Sequence, residues 1–142
     1  MKVKDIMTKH VIGVGPEESV EVAARTLSQY NIGALPVCGS DGKLCGMITD
    51  RDLVIRCMAS GRLPANTKVR QVMTGQVTSV RPDMDVGVAA HLMGRQQIRR
   101  LPVTENGKLC GMISLGDMAN LEECVMNAAD ALADITSNIS DR

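Results

Sequence analysis

Apolar residues change their spacing along this chain in a fixed order, from short continuous segments to helical periodicity and back. The first segment, 11–14, predicts a strand that ends before Pro16, which has no N–H to donate. Ser19 follows and is a residue type that caps helix N-termini. Behind it, four apolar positions recur at helical spacing: Val20, Ala23, Ala24 and Leu27. The opening of the chain therefore predicts a strand and then an amphipathic helix.

Two more apolar segments, 35–38 and 44–48, predict a pair of strands. Asp41-Gly42 lies between them, and this dipeptide favours the tight turn of a β-hairpin. A second helix is predicted to begin near Thr49, whose hydroxyl can cap it. The complete order is β-α-β-β-α.

The same order returns because the sequence is duplicated. Residues 3–8 match residues 69–74 at an offset of 66 residues, and residues 43–48 recur letter for letter as residues 108–113 at an offset of 65. The lost residue is expected in the hairpin turn, where a deletion is best tolerated. The predicted counterparts in the second half are the strand 77–80, Pro82, the cap Asp85, the helix positions Val86, Ala89, Ala90 and Met93, the turn Asn106-Gly107 and a helix start at Ser114.

These patterns predict an α/β (α+β) fold in which a β-α-β-β-α repeat is duplicated with pseudo-two-fold symmetry. The expected divisions are repeat 1 at 1–60, a linker at 61–68, repeat 2 at 69–126, and a C-terminal helical extension with a polar tail at 127–142. The spacing of that last helix places four residues on one face: Val125, Ala129, Leu132 and Thr136.

Composition narrows the function. Sixteen basic residues balance sixteen acidic ones, so the chain of 142 residues has no general attraction for nucleic acid or anionic membranes. Tyr30 is its only aromatic residue, too little for a base-stacking surface. The five cysteines form no C-x-x-C pair, which predicts neither a disulfide framework nor a metal site. No apolar segment has the length of a signal peptide or a membrane span, so we expect the protein to be located in the cytoplasm.

One motif can carry binding chemistry, and it occurs twice. Thr49 precedes Asp52 by three residues at the end of a predicted strand, and Ser114 precedes Asp117 in the same way. As a capping box, the hydroxyl accepts one backbone N–H while the carboxylate accepts another. As a binding site, the same groups suit a ribose diol or an anion. The two interpretations are compatible.

These residues resemble tandem CBS domains, also called Bateman modules. The resemblance rests on Ile-Gly-Ala-Leu-Pro-Val at 32–37 with Gly-Met-Ile-Thr-Asp-Arg-Asp at 46–52, and on their counterparts at 98–103 and 111–117. The chain is most similar to small stand-alone bacterial CBS-pair proteins of the hypoxic-response type. The resemblance implies a regulatory module that binds an adenosine-containing ligand such as AMP, ADP or ATP in the cleft between the repeats and reports it to an effector protein.

The resemblance also implies which residues line that site. Asp52 and Asp117 would bind ribose hydroxyls, with Thr49 and Ser114 near ribose or phosphate. The arginines would contact phosphate, and Arg51 is a weaker candidate than the pair Arg99 and Arg100. The adenine walls would be Ile12 and Thr78 with Ala34, Leu35, Pro36, Leu101 and Pro102. Repeat 1 has Gly33-Ala34 in place of the arginine pair, so one good site is as plausible as two.

The sequence gives less support to other functions. His10 and His91 are the only histidines, and nothing pairs either with a nucleophile, so we expect no enzyme and no cofactor. Two alternatives stay open: a ligand-free structural dimerisation module, and a sensor of S-adenosylmethionine or an NAD-type ligand. A homodimer is expected because several apolar residues exceed what one core stripe needs: Leu53, Val54, Cys57, Met58, Met118 and Leu121.

Overall fold

The computed structural model describes residues 1–121 and 124–137. In chain order the elements are α1 (Val3–Ile6), α2 (Val20–Tyr30), β1 (Ala34–Cys38), β2 (Leu44–Thr49), α3 (Asp50–Asp52) with a π-helix over Leu53–Met58, a 3-10 turn (Pro64–Asn66), α4 (Val69–Val72), α5 (Val86–Gln96), β3 (Arg100–Glu105), β4 (Lys108–Ser114), α6 (Leu115–Ala119) and α7 (Val125–Thr136). Mixed helices and two small two-stranded sheets confirm the α+β class.

The helix caps predicted from sequence are present. Ser19 Oγ accepts a hydrogen bond from Val22 N at 3.2 Å at the start of α2. Asp85 Oδ1 accepts from Gly87 N at 2.7 Å at the start of α5. Each satisfies a backbone donor that the first helical turn leaves without a partner.

The turn of the second hairpin is one residue shorter than the turn of the first, which is why the offset between the repeats falls from 66 to 65. In the β1–β2 turn, Gly42 N donates to Gly39 O at 3.0 Å and only Gly42 has a positive φ, +81°. In the β3–β4 turn, Asn106 and Gly107 both have positive φ, 54° and 79°, as a two-residue turn requires. The one-residue deletion therefore changes the type of turn that joins the two strands.

The segment 11–14 is not a strand, which corrects the prediction. It makes a single parallel bridge, in which Val14 N donates to Pro36 O at 3.1 Å and Cys38 N donates to Val14 O at 3.0 Å. The next hydrogen bonds of a parallel ladder would need an N–H on Pro36 at one end and on Pro16 at the other. Proline has none, so the ladder stops after one bridge.

The segment 77–80 ends in the same way. Val80 N donates to Pro102 O at 3.1 Å, Thr104 N donates to Val80 O at 2.8 Å, and Pro82 and Pro102 block the next rungs. The sequence-based strand prediction identified the right place and overestimated the length of pairing.

The chain forms two units, and each takes its opening segment from the other repeat. The first-repeat unit comprises Ile12–Val77 with Gly107–Leu109, and the second-repeat unit comprises Met1–Val11, Thr78–Asn106 and Cys110–Arg142. The segments 1–60 and 69–126 therefore describe the duplication in sequence, and neither contains a whole unit.

Backbone hydrogen bonds hold each exchanged segment at both ends. In the first-repeat unit, Val20 N donates to Thr67 O at 2.8 Å, and Thr74 exchanges two hydrogen bonds with Met47 at 2.9 and 3.0 Å. In the second-repeat unit, Val86 N donates to Met1 O at 2.9 Å, and the other end is closed by the equivalent pair of Thr8 and Met112 at 2.8 and 3.0 Å.

The C-terminal helix α7 does not bury the apolar face that the spacing grouped together. The residues buried are Ala128, Ala131 and Ile135, and α7 packs against α5. Val125 and Leu132, which the spacing placed on one face, are 46% and 41% exposed. The reason lies on α5, where small residues admit the alanine face at close range. Residues 138–142 of the predicted tail lie outside the described residues.

We predict that Gly46→Ala lowers the free energy of unfolding by about 1–3 kcal/mol through overpacking. A Cβ on Gly46 would lie 2.4 Å from Thr74 O, a backbone atom that is fixed because it accepts a hydrogen bond from Met47 N. Gly75→Ala is the matched control, since no atom lies within 4 Å of its Cβ position. Urea unfolding of both variants measures the difference, and equal stabilities would contradict the close-approach argument.

Candidate functional site

The predicted site residues of repeat 1 meet within the first-repeat unit. Ala34 lies opposite Thr49 in the β1–β2 register, and Asp50 N donates to Gly33 O at 3.0 Å. Ile12 packs against the core of the same unit. The start of β1, the end of β2 and the segment before Val14 therefore converge, as the resemblance implies.

The Thr-x-x-Asp motif forms a reciprocal capping box. Asp52 N donates to Thr49 Oγ1 at 3.1 Å, and Thr49 N donates to Asp52 Oδ2 at 2.9 Å. The other carboxylate oxygen, Oδ1, lies 3.7 Å from Arg56 Nε. Both oxygens of Asp52 thus have partners already.

Arg51 is exposed, and its side chain has no ion-pair partner within residues 1–121 and 124–137. Two acidic residues, Asp50 and Asp52, flank it in the sequence, and neither forms an ion pair with it. Asp50 instead accepts a hydrogen bond from the Arg51 backbone N at 2.8 Å, and Asp52 faces Arg56. Arg51 therefore stays available to an anion.

The second-repeat unit repeats this arrangement with one difference at the acid. Asp117 N donates to Ser114 Oγ at 3.0 Å, and Ser114 N donates to Asp117 Oδ2 at 2.9 Å. In the described part of the chain, Asp117 Oδ1 has no hydrogen-bond or ion-pair partner. Since Ser114 Oγ accepts in the box, its hydroxyl hydrogen can still be donated to a ligand.

A pocket of about 540 Å³ lies next to this second capping box. Its described lining residues are Arg99, Arg100, Ser114, Leu115, Gly116, Ala119, Val125, Ala128, Ala129 and Leu132. None of them is acidic. Leu115 N donates to Arg99 O at 2.9 Å, which fixes the start of α6 beside the arginine pair.

Both arginines of the pair line the pocket, although strand alternation allows only one to face a given side. The extended strand β3 begins at Arg100, and Arg99 precedes it in a bend, so alternation does not apply to the pair. Both side chains are exposed, and no acidic residue among those described pairs with either.

Several predicted wall residues can border a ligand only through their backbone. Leu35 and Leu101 are fully buried in the cores of their units, and Pro36 and Pro102 are buried as well. Thr78 is half-buried. Sequence reasoning missed the contribution of α7 to the pocket. The apolar spacing of α7 indicated a helix but not which element its faces would meet.

Two of the cysteines, Cys38 and Cys110, have thiols that burial makes less reactive. Burial raises the pKa of the Cys38 thiol, with smaller contributions from Cys45 and Asp41. Burial also raises the pKa of Cys110. A raised pKa reduces the thiolate fraction at neutral pH and with it the nucleophilicity. Within the described ranges, no group of three His, Cys, Asp or Glu side chains could hold a metal ion.

Duplicated units, each with a hairpin that leads into a Thr/Ser-x-x-Asp capping box, define a tandem-repeat module. The family model for the CBS domain matches the chain twice, at residues 3–58 and 69–123, and the chain therefore belongs to the CBS-domain family. Proteins with paired CBS domains are regulatory ligand-binding modules. None of the helices described is both long and apolar enough to cross a membrane.

Two relatives and one solved structure place the chain more closely within the family. It is 40% identical over 134 residues to CBS domain-containing protein YhcV of Bacillus subtilis, covering 94% of each chain. It is 34% identical to Hypoxic response protein 1 of Mycobacterium tuberculosis over 82% of this chain and 81% of that protein. The crystal structure of Hypoxic Response Protein I with two coordinated zinc ions superposes with a TM-score of 0.79, covering 85% and 99% of the two chains.

A further solved structure contains ligands. The CBS domain pair of protein MJ0100, in complex with 5′-methylthioadenosine and S-adenosyl-L-methionine, is 28% identical with a TM-score of 0.74, covering 84% of this chain and 93% of that one. None of these three relatives is named as an enzyme.

We predict that Ser114→Ala lowers the free energy of unfolding by about 1 kcal/mol without any ligand, because Asp117 N loses its capping acceptor. Ser114→Thr is the control, since repeat 1 uses Thr49 in the same role. Urea unfolding at neutral pH compares the two. A loss as large in the Thr variant would show that the cap is not the cause.

Proposed function

We propose that this protein binds an adenosine-containing ligand with a phosphate group, such as AMP, ADP or ATP, and reports its presence to an effector protein without catalysing a reaction. The observation that carries the proposal is the pocket in which two exposed arginines lie beside the Ser114–Asp117 box and form no ion pair with an acidic residue in the described part of the chain. Unpaired cations beside a half-enclosed apolar wall favour an anionic ligand that also has apolar surface.

The carboxylate supports a ribose. Asp117 uses Oδ2 for the capping box, and its free Oδ1 can accept a ribose hydroxyl hydrogen. Capping and binding therefore need different oxygens of one side chain. Asp52 is less free, because Arg56 lies 3.7 Å from its remaining oxygen. We infer that the second-repeat unit holds the stronger ligand site.

A second candidate is a sensor of S-adenosylmethionine-type ligands. It is favoured by the ligands of the MJ0100 domain pair, which share the adenosine part. The arginine pair of this chain favours phosphate over that class, because a guanidinium can hold a phosphate through two parallel hydrogen bonds. Comparing AMP with S-adenosylmethionine in the same binding assay separates the two candidates.

Absence of catalysis is part of the proposal. His91 borders a groove with Asn127, Asp130 and Asp134, and no hydroxyl or thiol nucleophile lies among those lining residues. The names of YhcV, Hypoxic response protein 1 and the MJ0100 domain pair include no enzymatic activity, which supports this part of the proposal. The five cysteines are all free, which suits a reducing compartment such as the cytoplasm.

We also propose that the protein is a homodimer through the π-helix after α3. Val54, Ile55 and Met58 are 51%, 51% and 68% exposed there. Two of the residues expected to be spare, Cys57 and Met118, are instead fully buried in their own units. If no ligand binds, this surface would support the alternative of a purely structural dimerisation module.

We predict that AMP at about 100 times its Kd stabilises the protein by roughly 2.7 kcal/mol, or about 5–10 °C in Tm. Arg99→Gln or Arg100→Gln should weaken AMP binding about 10- to 100-fold, as expected for a lost hydrogen bond to a charged group, and leave adenosine nearly unchanged. Calorimetry with both ligands measures this.

Arg95→Gln is the matched control, because Arg95 is an exposed arginine of α5 that does not line the pocket. If no adenosine compound moves the Tm at millimolar concentration, the proposed function is wrong. If AMP binds and neither pocket variant changes the ratio of AMP to adenosine affinity, the arginines do not hold the phosphate.

For the dimer, we predict that Met58→Asp shifts the mass measured by light scattering from two chains toward one, because a carboxylate would be buried against the partner chain. Val88→Asp is the control on an exposed position of α5. A monomeric wild type at high micromolar concentration would refute the dimer.

A further inference from the structure

The helix α7 is the clearest structural difference between the two repeats, because only repeat 2 is followed by such a helix. It packs on α5 in the second-repeat unit and forms part of the pocket wall with Val125, Ala128, Ala129 and Leu132. Repeat 1 is followed by the 3-10 turn Pro64–Asn66 and α4 instead. The pocket of the second-repeat unit therefore includes an element that the duplication did not supply.

The sequence of α5 is adapted to this helix. A Cβ on Gly94 would lie 2.8 Å from Asp134 Oδ2 and 3.2 Å from Asp134 Cβ, so any other residue there would require the Asp134 side chain to shift. At the equivalent position of α2, repeat 1 has Ser28, and where α5 has Gly87 repeat 1 has Glu21. Repeat 1 thus lacks the small residues that seat α7.

The face of α7 toward the pocket is apolar and incompletely covered. Val125 and Leu132 are nearly half exposed, and Ala129 is exposed between them. The same pocket is lined by Arg99 and Arg100, which have no acidic partners in the part of the chain described. The pocket combines a cationic side with an apolar side, which complements an anion that carries apolar surface.

We propose that α7 is part of the ligand site: the apolar part of a nucleoside monophosphate packs on Val125, Ala129 and Leu132 while Arg99 and Arg100 hold its phosphate. This rests on the proposed function and adds the element that senses occupancy. Because binding and helix seating are linked, a ligand that contacts α7 also stabilises its packed position. The C-terminal helix is then the part of the chain that changes with ligand.

The test uses two charge substitutions on the same helix. Leu132→Glu places a carboxylate in the pocket, where it pairs with the arginines and repels phosphate, and should weaken AMP binding at least tenfold. Met126→Glu is the matched control, because Met126 is 71% exposed and does not line the pocket. It should bind AMP like the wild type. Calorimetry with AMP on the full chain measures both.

A second measurement does not depend on any variant. Hydrogen exchange of the wild type should slow across 125–136 when AMP is added. If AMP binds, Leu132→Glu keeps wild-type affinity and exchange in α7 is unchanged, the inference is wrong while the proposed function stands. If Leu132→Glu fails to fold, the exchange result alone decides. If AMP does not bind the wild type, the proposed function has failed first.

Discussion

The structure depends on a close backbone approach that occurs once in each unit. Gly46 in β2 lies against Thr74, and Gly111 in β4 lies against Thr8, where a Cβ would be 2.4 Å and 2.9 Å from the respective carbonyl oxygens. This approach permits the paired hydrogen bonds of Met47 with Thr74 and of Met112 with Thr8. Each repeat thereby supplies a segment to the other repeat's unit, and the covalent chain joins two units that neither repeat could complete alone.

Local features of the sequence predicted most of each unit, because they act over a few residues. The caps at Ser19 and Asp85, the glycine turns and both capping boxes formed where residue type and spacing placed them. Non-local pairing was harder to predict. The strand at 11–14 shrank to one bridge because the proline that limits it, Pro36, belongs to a partner segment more than twenty residues away. The exchange of opening segments left no local signal beyond the glycines at 46 and 111.

The site shows the same division between local and non-local information. Thr49 to Asp52 and Ser114 to Asp117 were identifiable because both chemical roles require a hydroxyl and an acid three residues apart. The difference between their acids was not identifiable, since it depends on Arg56 reaching Asp52 while Asp117 meets no such cation among the described residues. Likewise, the closest approach between α5 and α7 is at Gly94, forty residues before its neighbour Asp134. Helical periodicity alone gives several faces and does not select among them.

The two repeats differ in the charged residues at the equivalent positions of their motifs. Where repeat 2 has Arg99 and Arg100, repeat 1 has Gly33 and Ala34, and where repeat 1 has Asp50 and Arg51, repeat 2 has Leu115 and Gly116. Because Leu115 stands where repeat 1 has Asp50, the start of α6 offers no carboxylate at that position to pair with Arg99 or Arg100. Gly94 then admits α7, whose apolar face limits water on one side of that field. Exclusion of water strengthens a charge-assisted hydrogen bond, so the leucine at position 115 and the packing of α7 both favour a hydrogen bond from these arginines to an anion.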